Sequence, residues 1–111
     1  MTEKEYKEKL DAFKNSCRVY KHEKMMLENS AKTAHKFGDE QLNAFLLEDI
    51  TYVDDMFSEI EEKCGKSARL ILWFLYVEGK TQADAADQFG LTRRQLQYSL
   101  KKWMRQVLEQ E

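Results

Sequence analysis

At 111 residues the chain is the size of one domain, and 42% hydrophobic residues with 12% aromatics supply a packed core rather than a disordered chain. There is no proline and there are only four glycines, so long helices can run with few forced stops and the expected class is all-α. The net charge of −2 gives no overall sign of a nucleic-acid partner, and no apolar run approaches the ~18 residues that span a membrane.

The first predicted element lies in "EYKEKLDAFKNSCRVYKHEKMML". Tyr6, Leu10, Phe13, Cys17, Tyr20 and Leu27 follow steps of four and three, with Lys24 interrupting. This is a helix with one narrow apolar seam, whose partner is either the rest of the chain or a second copy. The Gly38-Asp39 pair predicts a helix stop and a new start. In the next helix Leu42, Phe45, Leu46, Val53, Phe57 and Ile60 form the apolar stripe, and Cys64-Gly65 ends it. Ser67 then caps a helix whose run from Leu70 to Val77 is apolar on every face. That run predicts a central helix contacted on two sides.

Two further helix starts follow eleven residues apart. Thr81 and Thr92 can each accept from the backbone N–H three residues on, while Asp84 and Gln95 can reach back to the caps. Gly90 lies between them and can close the first helix in the left-handed conformation. Ala86 is small enough to let two helices cross closely, and Phe89 and Leu91 can bury at the crossing. Together these features describe a helix-turn-helix.

Charge is distributed unevenly. From Asp39 to Glu62 there are many acids and no base, whereas Leu91 to Leu108 holds Arg93, Arg94, Lys101, Lys102 and Arg105 and no acid. Turning the last helix by about 100° per residue puts Leu96, Leu100, Trp103 and Val107 on one stripe, with Arg94, Tyr98, Lys101 and Arg105 opposite and Gln97 and Lys102 flanking. A face of arginine, glutamine and lysine suits a helix that lies in the major groove, reading guanine and adenine and touching phosphate.

From about Glu59 to Leu108 the chain resembles the fourth region of bacterial sigma factors, which reads the −35 promoter element. The likeness is carried by "ARLILWFLYVEGKT" and "ADAADQFGLTRRQLQYSLKKW". It implies a four-helix DNA-binding unit over residues 59–111, behind an N-terminal helical packing or oligomerisation segment over residues 1–58. It also implies Thr92, Arg93, Arg94, Gln97, Tyr98 and Lys101 at or near the DNA, with Lys80, Thr81 and Gln82 near the backbone. The first part of the chain lacks the basic, aromatic-rich helix with which sigma factors melt promoters. The layout is similar instead to small phage and mobile-element transcription regulators of the ArpU and RinA types.

The expected function is therefore a sequence-specific, double-stranded-DNA-binding transcription regulator, with a recognition helix at about 93–107 and a homodimer formed through the N-terminal helix. Two alternatives are a small-terminase-like packaging subunit and a module that binds RNA polymerase without DNA. The acidic segment is either a solvated face or a dock for a basic partner such as the polymerase or a second copy's arginine-rich helix. Cys17 and Cys64 form no CxxC pair and read as free thiols; His22 and His35 have no converging partners. Nothing suggests an enzyme, a metal or another cofactor. The charged start "MTEKEYKEKL" has no apolar signal core, and the expected compartment is the cytoplasm.

Overall fold

The computed structural model describes residues 1–32 and 40–109. The protein is all-α: α1 (Glu3–Lys32), α2 (Glu40–Cys64), α3 (Lys66–Leu72) continuing into a π-helical turn (Trp73–Val77), α4 (Gln82–Gln88) and α5 (Arg93–Leu108). The Gly38-Asp39 stop and start, and His35, lie outside the described residues.

The narrow seam of α1 packs within the chain. Tyr6, Phe13, Cys17 and Tyr20 are buried, Leu10 and Leu27 half-buried, all in one core with residues from every other helix. The seam continues through Glu23, which is buried, while Lys24 turns out over the ring of Tyr20 at 5.5 Å. Two polar struts fix α1 on α2: the Tyr20 hydroxyl donates to Asp54 at 2.6 Å and the Ser16 hydroxyl to Asp49 at 2.9 Å. Part of the acidic segment thus holds the helix pair together rather than facing solvent.

On α2, Leu46, Val53, Phe57 and Ile60 are buried as the stripe predicts, joined by Ile50. Leu42 and Phe45 differ, being 43% and 62% exposed. Gly65, at φ 98°, makes the bend after Cys64 and is itself the N-cap of α3, so Ser67 is an exposed first-turn residue and not the cap.

The segment from Ala68 to Val77 is the hub, although not on every face. Ala68, Ile71, Leu72, Leu75 and Val77 are buried, whereas Leu70 is 61% exposed. Trp73 meets Tyr20 and Phe57 edge-on at 5.3 and 5.0 Å, and Tyr76 meets Phe13 at 6.0 Å. Phe74 points the other way and meets Phe89 at 5.5 Å with the rings perpendicular, tying the hub to the turn between α4 and α5. Edge contacts of this kind add about 0.5–1.5 kcal/mol beyond burial. The π turn is closed by the Glu78 N–H donating to the carbonyl five residues back, on Trp73, at 3.0 Å.

Candidate nucleic-acid interface

Both threonine caps form complete capping boxes. Thr81 Oγ1 accepts from the Asp84 N–H at 3.1 Å and Thr92 Oγ1 from the Gln95 N–H at 3.1 Å; Asp84 and Gln95 accept in return from the cap N–H groups at 3.4 and 2.9 Å. Each cap contributes about 1 kcal/mol and fixes where its helix begins. Between them the α4 terminus closes as a Schellman turn. The Leu91 N–H donates to the Ala86 carbonyl at 2.8 Å and the Gly90 N–H to that of Asp87 at 3.4 Å, with Gly90 at φ 67°. Ala85 and Ala86 are buried at the crossing of the two helices.

That turn sets α5 against the core through Leu96, Leu100, Met104, Val107 and Leu108, all buried, with Trp103 half-buried beside them. Met104 was not among the expected core positions; it lies one step from Trp103, and its unbranched side chain lines a cleft together with Leu10 and Tyr6. The opposite face carries Arg94, Gln97, Tyr98, Lys101 and Lys102, all exposed; Arg93 is exposed in the first turn, in phase with Leu100 and Met104, and Lys80, Thr81 and Gln82 are exposed at the start of α4. Tyr98 is 71% exposed, an aromatic ring presented outward at the middle of the face. Among the described residues no ion pair engages Arg93, Arg94, Lys101, Lys102 or Lys80.

Arg105 is placed differently. Its guanidinium donates to both carboxylate oxygens of Glu3 at 2.9 and 3.0 Å, pairs with Glu109 and lies 4.3 Å over the ring of Tyr6. The hydrogen bond from Arg105, and then its charge, hold the Glu3 carboxyl below the usual range. Arg105 therefore fastens α1 to the end of α5, on the same stripe as Arg94 and Tyr98 but with its charge met by carboxylates.

Two residues of that face are joined. The Gln97 amide nitrogen donates to Gln82 Oε1 at 3.2 Å, linking α5 to the first residue of α4. They sit on the rim of a cleft of about 290 Å³ between α1 and α5, with Leu10, Leu100 and Met104 inside it and Lys14 and Lys101 also on its edge. Sequence reasoning gave Lys14 no role, because its cleft partners lie on elements far along the chain. The only local sign was its position beside the apolar seam.

Elsewhere, the described residues hold no cluster of three or more potential metal ligands. Cys17 and Cys64 are free; burial, and then the charge of Asp49, push the Cys17 thiol up to about 12. No described helix is long and apolar enough to cross a membrane.

No protein-family model matches the chain. No curated protein and no solved structure matches it either.

Proposed function

We propose that the protein is a sequence-specific, double-stranded-DNA-binding transcription regulator that lays α5 in the major groove. The observation that carries this reading is the outward face of α5. It is acid-free, and its arginines, lysines, glutamine and tyrosine are exposed on a helix whose start is fixed by a cap and a closed turn. Cationic side chains held clear of internal carboxylates keep their charge available for phosphate, and a rigid helix start sets the register of base contacts. In this reading Arg94, Gln97 and Tyr98 read base edges, Arg93, Lys101 and Lys102 flank them, and Lys80, Thr81 and Gln82 meet the backbone. The resemblance of "GLTRRQL" to the entry of a sigma recognition helix supports the same assignment.

The proposal includes a homodimer. The apolar seam of α1 is already occupied, so pairing through this helix falls to its outer surface, where Val19 and Met26 lie seven residues apart and are 39% and 36% exposed. A dimer contacting ~4 phosphates per subunit loses affinity about 10⁴-fold over a fourfold rise in salt, against about a hundredfold for a monomer.

Paired substitutions test the groove assignment. Arg94→Ala should relax preference at one base position of each half-site by about 1–3 kcal/mol, whereas Lys102→Ala should weaken specific and random duplexes alike and flatten the salt slope by about 1 per subunit. Equal losses on both duplexes from both variants contradict placement of α5 in the groove.

A further inference from the structure

The surface around the recognition helix includes one edge of α1. Lys14 lines the same cleft as Gln82, Gln97 and Lys101, and among the described residues no carboxylate contributes to that lining. The Lys14 ammonium lies 5.4 Å from the ring centroid of Tyr76, so its stem is held toward the cleft. Lys7 is exposed and two turns earlier on the same side of the helix, at the i, i+7 spacing. Lys21, a further seven residues on, is already paired with Glu78, which lowers that carboxyl's pKa, and so it does not belong to the set. Glu3, at the far end of the edge, is engaged by Arg105.

Resting on the DNA-binding reading above, we infer that Lys7 and Lys14 of α1 contact the sugar–phosphate backbone bordering the groove that α5 occupies. The dimensions agree. The major groove is about 12 Å wide, so its bordering strands lie about 6 Å from the axis of a helix seated in it. Packed helices stand about 8–10 Å apart, so a helix against α5 carries its outward lysines over one of those strands. Here α1 packs against α5 through Leu10, Tyr6 and the Glu3–Arg105 pair, and the cleft between them opens on the face that holds Gln97 and Lys101. Two ammonium groups on flexible stems there suit phosphate oxygens as point charges, without base preference. The N-terminal helix thereby becomes part of the DNA surface, which the charge pattern of the last helix alone does not announce.

The test measures affinity against salt for the full chain, on a duplex selected for tight binding and on random duplex. K7Q/K14Q should flatten the log–log salt slope by about 2 per subunit, and so by about 4 for the dimer, at about 0.9 per lost phosphate contact. At fixed salt the two duplexes should lose affinity by the same factor, with base preference unchanged. K7Q alone should give half the change in slope; it leaves the Lys14–Tyr76 contact in place and so reports without a packing change. K66Q, at the exposed start of α3, is the comparison and should leave the slope as it is. Unchanged slopes in K7Q and K7Q/K14Q, with Arg94→Ala still relaxing base preference, overturn the α1 contact and leave the groove reading standing. If the unaltered protein binds neither duplex, both fall together.

Discussion

Glu23 is a carboxyl placed where a seam helix ordinarily puts an apolar residue, and its replacement by glutamine should stabilise the protein at alkaline pH. The side chain is 8% exposed, and its Oε2 has no hydrogen-bond partner among the described residues. Burial, and then a hydrogen bond to Asp49 and the charge of that residue, push the Glu23 carboxyl up to about 7. In the unfolded chain it titrates near 4.5. The folded state therefore holds the extra proton between those values, and stability falls as pH rises from about 4.5 to about 7. Above that range the ionised carboxylate carries its full penalty; below it both states are protonated and none remains. A displacement of this size corresponds to at most about 3 kcal/mol, reduced to about 1–2 kcal/mol by solvent at the edge of the helix pair. Glutamine keeps an N–H for Asp49 and removes the charge. Urea unfolding of both proteins from pH 4.5 to 8 should show Glu23→Gln gaining about 1–2 kcal/mol at pH 8 and converging with the parent toward pH 4.5. Parallel stability curves across the range, or a less stable variant at pH 8, would refute the buried-carboxyl reasoning.

Other expectations concern the turn and the reading face. Thr92→Ala removes the α5 cap and should cost about 1 kcal/mol, a fall of about 4 °C in a calorimetric melt, while Thr92→Ser keeps most of it. Gly90→Ala meets open space but a left-handed backbone, so it should lose about 1–2 kcal/mol in urea, with Gly90→Asn losing less. Gln82→Ala frees the Gln97 amide and should lower base preference at the position Gln97 contacts by about 3–10-fold, with Gln82→Glu preserving that preference because it still accepts the bond. A specificity profile that Gln82→Ala leaves unmoved counts against a positioning role. Arg105→Ala should lower the melting temperature while leaving the salt slope near that of the parent, since Arg105 is engaged by Glu3 and Glu109.

The sequence announces the elements wherever a cap or a special backbone angle is encoded in one residue. Thr81, Thr92, Gly65 and Gly90 each mark a boundary that the structure keeps. Burial was legible where neighbours lie on both sides, as at Phe13, Phe57 and Leu96. It failed at Leu42 and Phe45, whose apolar spacing does not say how much of each side chain is covered. Glu23 was missed for a related reason. Position 23 continues the four-and-three rhythm as well as position 24 does, but its carboxyl gave no apolar signal. The π turn from Trp73 to Val77 has neither glycine nor proline inside it to give it away. Of the reading face, the exposure of Arg94, Gln97, Tyr98 and Lys101 followed from helical phase alone. The capture of Arg105 by Glu3, 102 residues away, and the approach of Lys14 to the cleft depend on tertiary packing that local pattern does not encode.

Placement of α5 in the major groove is tested most directly by selecting bound sequences from a pool of random duplex DNA and reading the enriched positions. Base reading by α5 predicts a short motif with at least one position whose preference is lost in Arg94→Ala, repeated at a spacing of about one helical turn for a dimer. Recovery of the unenriched pool at micromolar protein and low salt would contradict it.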